Sequence, residues 1–148
     1  MSDLQIRRVR AEDKARWRDL WRGYRDFYRA AQSDEVDERL WSALLADDGD
    51  IRGYVADRGQ GPIGLVHYVF HATTWSPKAI CYLQDLFVSR EDRGGGAAKA
   101  LMLACFEDAK AKDALRVYWQ TQEYNAPARS LYDTLTPRSS FIVYRKEL

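Results

Sequence analysis

The spacing of apolar residues differs from segment to segment along the chain, and the difference separates predicted helices from predicted strands. Apolar residues recur every three or four positions in four segments, which predicts amphipathic helices there. These segments are residues 11–29, 36–46, 98–109 and 125–135. Six other segments are short and rich in branched or aromatic residues, as strands are. They are residues 4–10, 51–57, 63–70, 79–88, 116–121 and 141–146.

The order of these segments predicts the fold class. Residues 51–88 contain three strands in succession with short loops, which favours an antiparallel meander over the βαβ start of a Rossmann domain. We therefore expect an α+β domain with a mixed, mostly antiparallel central sheet of about six strands, flanked by about four helices. With 148 residues and no linker or repeat, the chain is predicted to form one domain over residues 1–148.

The apolar residues of the first helix fall into two groups. We expect three of them to lie in the core, as a stripe at helical spacing usually does: Trp17, Leu20 and Trp21. Three aromatic residues further along are candidates for the entrance to a substrate site, because aromatic rings suit amine-bearing ligands. They are Tyr24, Phe27 and Tyr28.

Composition and charge narrow the function classes. The net charge is +1, so the overall balance gives no reason to expect nucleic acid or an anionic membrane as partner. The charged start of the chain has no secretory apolar region, and no apolar run approaches membrane-spanning length. Cys81 and Cys105 are predicted to be reduced core thiols, although a disulfide between them is an open alternative. We expect a cytoplasmic protein.

A glycine-rich stretch between a strand and a helix is the strongest local signal. Residues 82–88 are predicted to be the end of a strand, three glycines follow from Gly94 to Gly96, and a helix runs to Ala109. Glycines allow a ligand to approach the backbone, and a helix N-terminus offers unpaired N–H groups at its positive end. This combination predicts an anion site, most plausibly for phosphate. The spacing fits neither a P-loop nor the dinucleotide fingerprint, since Lys99 stands where the third glycine of the fingerprint belongs.

The pattern that does fit is Arg93-x-x-Gly96-x-Ala98, which resembles the pyrophosphate loop of the GNAT superfamily of N-acetyltransferases. The predicted order of helices and strands is also that of GNAT proteins, so the resemblance covers essentially the whole chain. It is supported by the motifs Tyr-Leu-x-Asp-Leu-Phe-Val from Tyr82 and Asn-x-Pro-Ala-Arg-x-Leu-Tyr from Asn125. The chain looks closest to the branch that contains spermidine/spermine N-acetyltransferase. The resemblance implies a single GNAT-like domain that binds acetyl-coenzyme A and acetylates a primary amine of a small molecule or peptide.

The resemblance also implies which residues bind the coenzyme. The pantetheine arm would lie along Leu86, Phe87 and Val88, and Asn125 would face its distal part. The pyrophosphate would be held mainly by backbone N–H groups of the glycine loop, which consists of Arg93, Gly94, Gly95, Gly96, Ala97 and Ala98. Tyr132 matches the tyrosine that protonates the departing thiolate in many family members, although it could instead be a core aromatic residue.

The general base is less clear from sequence. Polyamine acetyltransferases have a glutamate at the position of Gln84, and an amide cannot take up a proton. Asp85 follows, but strand alternation points its side chain to the opposite face unless a bulge intervenes. Glu123, just after the fifth predicted strand, is a second candidate. Polyamine specificity is therefore doubtful.

Two further questions stay open at this level. His67 and His71 lie four residues apart on one strand, about 13 Å, so they are not expected to share a metal ion, and we expect no metal site. The missing glutamate at position 84 also leaves a second function open, a non-catalytic module that binds or senses acyl-coenzyme A. The amine acceptor is not identified, and a homodimer remains an open alternative.

Overall fold

The central sheet of the computed structural model, which describes residues 3–148, has five strands in chain order. They are β1 (Gln5–Arg7), β2 (Ile51–Asp57), β3 (Pro62–Thr73), β4 (Ser76–Val88) and β5 (Val117–Tyr118). Strands β1 to β4 pair antiparallel, whereas β5 pairs parallel to β4. The predicted mixed, mostly antiparallel sheet within an α+β domain is therefore confirmed.

Four α-helices surround the sheet, as the apolar spacing predicted. They are α1 (Lys14–Phe27), α2 (Asp34–Ala46), α3 (Ala97–Ala111) and α4 (Ala126–Leu135). Side chains cap two of them, because Ser33 accepts a hydrogen bond from the N–H of Val36 and Asn125 accepts one from the N–H of Ala128. Within residues 3–148, no helix has both the length and the apolar character needed to cross a membrane.

The sheet separates two hydrophobic clusters. On one face α1 and α2 bury Trp17, Leu20 and Trp21 against the sheet residues Val55 and Leu65, so the predicted core stripe of α1 is confirmed. On the other face α3 buries a second, larger cluster that includes Leu101, Met102 and Cys105. Helix α4 is only half-buried against this cluster, through Leu131, Tyr132 and Leu135.

The predicted sixth strand is absent from the sheet. Residues 141–146 form no helix or strand, and the apolar side chains among them are largely exposed. The exposed fractions are 91% for Phe141, 74% for Ile142, 64% for Val143 and 90% for Tyr144. The segment has the composition of a strand, but strand structure also requires a neighbour to pair with, and the described part of this chain supplies none.

The last two strands of the sheet diverge. Strands β4 and β5 pair only at Cys81 with Val117 and at Tyr82 with Tyr118. Beyond Tyr82, β4 continues from Leu83 to Val88 without pairing to β5. Backbone groups on that side of β4 therefore border an opening between the strands, and the glycine loop follows at the far end of β4.

A single arginine ties the start of the chain to the sheet. The Arg7 guanidinium on β1 donates to Asp13, at 2.7 Å, and to Asp57 at the end of β2, at 2.8 Å. Burial alone would raise the pKa of both aspartates, but hydrogen bonds from Arg7 and from backbone N–H groups outweigh it and lower the pKa of each below its ordinary value. This cluster holds β1, the turn before α1 and the β2–β3 loop together.

Candidate active site between strands β4 and β5

A β-bulge interrupts β4 at Gln84. His67 of β3 pairs with Asp85, yet its neighbour Tyr68 pairs with Leu83, so Gln84 is an extra residue on β4. The extra residue shifts the alternation of side chains along the strand. Leu83 belongs to the cluster under α3, whereas Phe87 packs in the cluster under α1. In an unbulged strand these two residues would lie on the same face.

The bulge directs Asp85 towards α1. Its Oδ2 lies 3.1 Å from Nδ1 of His67, and the imidazole is only 3% exposed. On the other side of the ring, Nε1 of Trp17 donates to Nε2 of His67 at 3.1 Å. Because an indole N–H can only donate, Nε2 is the acceptor, so the proton of a neutral imidazole lies on Nδ1 and points at Asp85. The carboxylate is thus held in one orientation by a buried, oriented histidine.

Three phenols interact electrostatically with this carboxylate: Tyr24 on α1, Tyr28 directly after α1, and Tyr82 on β4. Burial, and then the negative charge of Asp85, raise the pKa of Tyr24 and of Tyr28 above the ordinary value for tyrosine. Burial also raises the pKa of Tyr82, with smaller contributions from Tyr118 and Asp85. All three phenols therefore stay neutral at physiological pH and offer hydroxyl groups and ring faces to a ligand.

Tyr132 approaches the same region from α4. Its ring lies edge-on to Trp119, with centroids 5.6 Å apart, and burial raises its pKa, with a further contribution from Tyr28. Tyr28 interacts electrostatically with both Asp85 and Tyr132, so it lies near both groups. The structure thus brings the predicted acid and one predicted base to the same opening.

The other candidate base lies at the surface. The side chain of Glu123 is 84% exposed, and its carboxylate is 3.7 Å from the Arg138 guanidinium. Its backbone carbonyl accepts a hydrogen bond from Arg129. An exposed, ion-paired carboxylate is less suited to take up a substrate proton than the oriented Asp85, so the geometry favours Asp85.

The glycine loop has the backbone expected of an anion site. Gly94 and Gly96 have φ angles of 87° and 86°, which side-chain-bearing residues rarely adopt, and a Cβ at either position would project into open space. Gly96 is the N-cap of α3 and provides no side-chain cap. The first N–H groups of α3 therefore face outwards without a side-chain acceptor, as an anion site requires. Ala97 is buried and anchors the helix start in the core.

Two arginines border this loop. Nε of Arg93 donates to the carbonyl of Val88 at 3.0 Å, and its guanidinium lies over the Phe87 ring, so the side chain fastens the loop to β4. Arg58, from the β2–β3 loop, donates to the carbonyl of Gly95 at 2.9 Å. The sequence pattern gave no reason to connect Arg58 with the glycine loop, which is 37 residues away.

The remaining predicted coenzyme-binding residues lie along the opening. Leu86 and Val88 pack towards α3, Phe87 packs towards α1, and the backbone of all three lies in the part of β4 that does not pair with β5. Asn125 caps α4 directly after a turn at residues 123–124. These positions are compatible with the predicted roles, which remain predictions.

The other polar and thiol groups singled out in the sequence have local partners. His71 is within 3.0 Å of the Tyr118 hydroxyl, on the exposed part of β3. Among residues 3–148, no cluster of three or more potential metal ligands occurs. Cys81 and Cys105 are free and buried, with Sγ atoms 3.8 Å apart, as expected of core thiols. Apart from its place in an apolar strand, nothing in the sequence connects His67 with Asp85. Only the pairing of β3 with β4 shows that the two residues are neighbours.

The fold and this site together define a class of protein. In a single α+β domain, the unpaired edge of β4 leads to the N-terminus of α3, which has no side-chain cap. An oriented carboxylate and a neutral phenol lie at the opening. This geometry suits an acyltransferase whose donor carries a phosphate group and an extended arm.

The chain belongs to the acetyltransferase (GNAT) family, whose sequence model matches residues 17–135. This confirms the family inferred from the glycine loop, and the protein is an acyltransferase of the GNAT type. The resemblance to the spermidine/spermine branch stays a prediction.

Curated relatives cover most of the chain. It is 26% identical over 145 residues to the D-amino-acid N-acetyltransferase HPA3 of Saccharomyces cerevisiae, covering 97% of this chain and 90% of the relative. It is 31% identical over 130 residues to the uncharacterized N-acetyltransferase YhfO of Bacillus subtilis, covering 88% of this chain and 87% of the relative.

Solved structures share the fold. A probable acetyltransferase superposes with a TM-score of 0.82 at 20% identity, covering 99% of this chain and 97% of the other. AAC(6')-Iy, in complex with the bisubstrate analog CoA-S-monomethyl-acetylneamine, superposes with a TM-score of 0.81 at 19% identity, covering 99% of this chain and 100% of the other.

Proposed function

We propose that this protein transfers the acetyl group of acetyl-coenzyme A directly to a primary amine of a small molecule, with Asp85 as the general base. The observation that carries the proposal is the orientation of Asp85. A bulge turns its carboxylate out of the regular strand pattern, and buried His67 holds it towards Tyr24 and Tyr28 beside the β4–β5 opening.

The residues around the opening fit the donor. The outward N–H groups at the start of α3 would hold the pyrophosphate, and Arg58 beside Gly95 would add positive charge. The unpaired edge of β4 from Leu83 to Val88 offers hydrogen bonds to an extended arm, in the manner of an added strand. Acetyl-coenzyme A supplies the thioester that makes its acetyl group transferable.

The residues around Asp85 fit a cationic acceptor. An alkylammonium group has a pKa of about 10 and must lose a proton before its nitrogen can attack. The carboxylate attracts the cation and accepts the proton, either directly or through one water. The ring faces of Tyr24 and Tyr28 stabilise the cation on its way in.

Two other groups act on the thioester side. Backbone N–H groups on the unpaired edge of β4 stabilise the negative charge that develops on the carbonyl oxygen. Tyr132, kept protonated by its raised pKa, donates its proton to the departing thiolate. Direct transfer without an acyl-enzyme requires the donor and the acceptor to be bound together, in a ternary complex, with Asp85 and Tyr132 both near Tyr28.

The acceptor class is narrowed by the relatives as well as by the site. One relative is named for D-amino acids, and one structure of the same fold is bound to an aminoglycoside-derived bisubstrate analog. We infer that the acceptor is a compact amine with one cationic centre. One carboxylate with several phenols recognises a single positive charge better than it recognises several positive charges in a row. A sensing module without turnover is not favoured, because it would need neither Asp85 nor a protonated Tyr132. We also propose a cytoplasmic location, in keeping with the reduced core thiols.

An acetyl-transfer screen with detection of the free thiol tests this function. The acceptors should include D- and L-amino acids, aromatic monoamines, aminoglycosides and polyamines. Asp85→Asn should lower kcat/KM on the best acceptor by about a hundredfold or more and remove the ascending limb of the pH profile, because the amide cannot take up a proton. Asp113→Asn is the control, since Asp113 is exposed, lies at the end of α3 in the left-handed region, and asparagine tolerates that backbone.

Two results would contradict the proposal. Thiol release that is absent with every acceptor class, while acetyl-coenzyme A still binds, would favour the sensing module. Full activity with an unchanged pH profile in a folded Asp85→Asn protein would remove Asp85 from the mechanism.

A further inference from the structure

Arg25 on α1 carries a charge that no carboxylate neutralises. Three other cations of this helix, Lys14, Arg18 and Arg22, form ion pairs with carboxylates of α2. The Arg25 guanidinium instead donates from Nε and Nη2 to the carbonyl of Ala31, with the Nε distance at 3.0 Å, and forms no ion pair within residues 3–148. Because a carbonyl has no net charge, this partly exposed guanidinium can still bind an anion.

The indole N–H of Trp21 is a buried donor without an acceptor. The side chain is only 6% exposed, and no acceptor in the described part of the chain lies within hydrogen-bond distance of its Nε1. The neighbouring Trp17, in contrast, donates its indole N–H to His67 at 3.1 Å. Buried donors in native proteins generally have partners, so an unpaired one indicates a position that a ligand completes.

These two donors adjoin each other and the group that holds Asp85. The Arg25 guanidinium lies over the Trp21 ring, 5.4 Å from its centroid. The same ring meets His67 nearly at a right angle, with centroids 5.0 Å apart, and Nδ1 of His67 is 3.1 Å from Asp85. Tyr24, one of the phenols that interact with Asp85, stacks on Trp21. A single indole thus connects an unneutralised cation with the oriented carboxylate.

We propose that the acceptor is an amino acid, whose carboxylate binds to Arg25 and to the indole N–H of Trp21 while its ammonium group faces Asp85. Because it assigns a substrate class to the acceptor side, this inference rests on the proposed function. A carboxylate has two oxygens, so one can accept from the guanidinium and the other from the indole. Charge-assisted hydrogen bonds of this kind are roughly twice as strong as neutral ones. An amino acid carries one positive and one negative group close together, as the two protein groups require.

Matched acceptors with and without the carboxylate test the substrate class. Thiol release from acetyl-coenzyme A is measured with alanine against ethylamine and with phenylalanine against 2-phenylethylamine, using both enantiomers of each amino acid. The native chain should prefer an amino acid to its matched amine by about tenfold or more in kcat/KM, since the amine leaves both donors unpaired. Amines that react as well as their amino acids would overturn the carboxylate subsite while leaving the proposed acetyltransferase standing.

Substitutions of the two donors test the subsite through the ratio of the two kcat/KM values. Arg25→Gln should lower kcat/KM for the amino acid by about tenfold or more and hardly change it for the amine, so the ratio should approach one. Trp21→Phe, which keeps a ring but removes the N–H, should lower the ratio in the same direction. Arg39→Gln is the control, because it removes the same charge from an exposed position on α2. Equal losses with both acceptors would mean that Arg25 only fixes the loop at Ala31, which contradicts the proposal.

Binding of a carboxylate that lacks the amine tests the subsite without turnover. The probe is 3-phenylpropanoate, titrated by ligand-observed NMR into the full chain in the presence of coenzyme A. Arg25→Gln should weaken its binding by about tenfold or more, whereas Asp85→Asn should bind it at least as tightly, because a nearby like charge is removed. This result does not depend on acetyl transfer, so it separates a failure of the subsite from a failure of the proposed function. Absence of binding to the native chain, or binding that Arg25→Gln leaves unchanged, would overturn the proposal.

Discussion

Asp85 is the residue on which the proposed chemistry depends most, and its neighbours explain why it is suited to accept a proton. His67 donates from Nδ1 to Asp85, and Trp17 fixes the opposite nitrogen of the same ring. This chain of two hydrogen bonds leaves one side of the carboxylate for the substrate. In the proposed mechanism, His67 would therefore be a positioning residue and Asp85 the catalytic one.

Replacing His67 tests this division of roles. His67→Phe keeps a ring in the core but removes the donor, so the carboxylate loses its fixed orientation. We expect kcat/KM to fall by about tenfold or more and the ascending limb of the pH profile to move. His67→Asn, whose side-chain amide can donate from near the position of Nδ1, should recover part of the activity and restore the profile. Equal loss in both folded variants would indicate a packing role only.

A substitution of Tyr132 provides the corresponding test of the proposed general acid. Tyr132→Phe retains the ring and its contact with Trp119 while removing the proton donor. Turnover should fall by about a hundredfold or more, and the affinity for acetyl-coenzyme A should hold. Steady-state kinetics together with isothermal titration of coenzyme A separates the two effects. A folded variant with full turnover would show that Tyr132 contributes to packing alone.

At the scale of elements, the glycine loop and the β-bulge at Gln84 set the two ends of the site. The loop depends on two positive φ angles and an uncapped helix, both of which are local consequences of glycine. The bulge depends on how β4 pairs with β3, which involves residues 18 positions apart. The glycine loop is thus encoded by local sequence, whereas the position of Asp85 is set by the register between β3 and β4.

Binding of the donor at the glycine loop can be tested by thermal shift. Acetyl-coenzyme A at a hundred times its Kd should stabilise the native chain by about 2.7 kcal/mol, since a ligand that binds only the folded state adds that free energy. Gly96→Glu should abolish the shift, because a side chain and a negative charge would project into the open space over the loop. Gly49→Glu is the control, as a Cβ at Gly49 also meets nothing within 4 Å but lies in the α2–β2 loop. An unchanged shift in Gly96→Glu would place the donor elsewhere.

At the scale of the whole molecule, Arg7 holds the first strand and the start of α1 against the sheet. The folded-state pKa values of its partners, Asp13 and Asp57, are lowered below the unfolded value near 3.9. The stabilisation from both groups is therefore fully present above that pH, and it is lost as the pH falls through the lower folded-state values. The free energy of unfolding should be insensitive to these groups at neutral pH and decline below about pH 4.

The variant Arg7→Met tests that contribution by chemical denaturation at several pH values. It leaves two largely buried carboxylates without their partner, which should lower the free energy of unfolding at pH 7 by about 3–5 kcal/mol. The difference from the native chain should narrow as the pH falls and begin to do so above about pH 4, because without Arg7 burial raises the pKa of both carboxyl groups and protonated carboxyl groups no longer need the cation. Lys14→Met is the control, since its ion pair with Glu38 is exposed. A difference that stays constant down to acid pH would contradict the linkage.

The sequence alone determined the features that depend on local chemistry. The spacing of Trp17, Leu20 and Trp21 identifies the core face of α1, because a helix repeats every 3.6 residues wherever it lies. Glycine is the residue that tolerates the backbone of the loop, so Gly94 and Gly96 mark it directly. These signals, together with the order of helices and strands, were sufficient to identify the family.

Only the tertiary structure decided the features that depend on which strands become neighbours. The bulge that turns Asp85 towards His67 follows from the pairing of β3 with β4, and no residue near Gln84 encodes it by itself. Arg58 reaches the glycine loop because of the same sheet. The residues from Phe141 to Tyr144 have the composition of a strand in sequence but are exposed in the structure. Composition expresses a preference for extended backbone, whereas a strand also needs a partner to pair with, and residues 3–148 supply none in this structure.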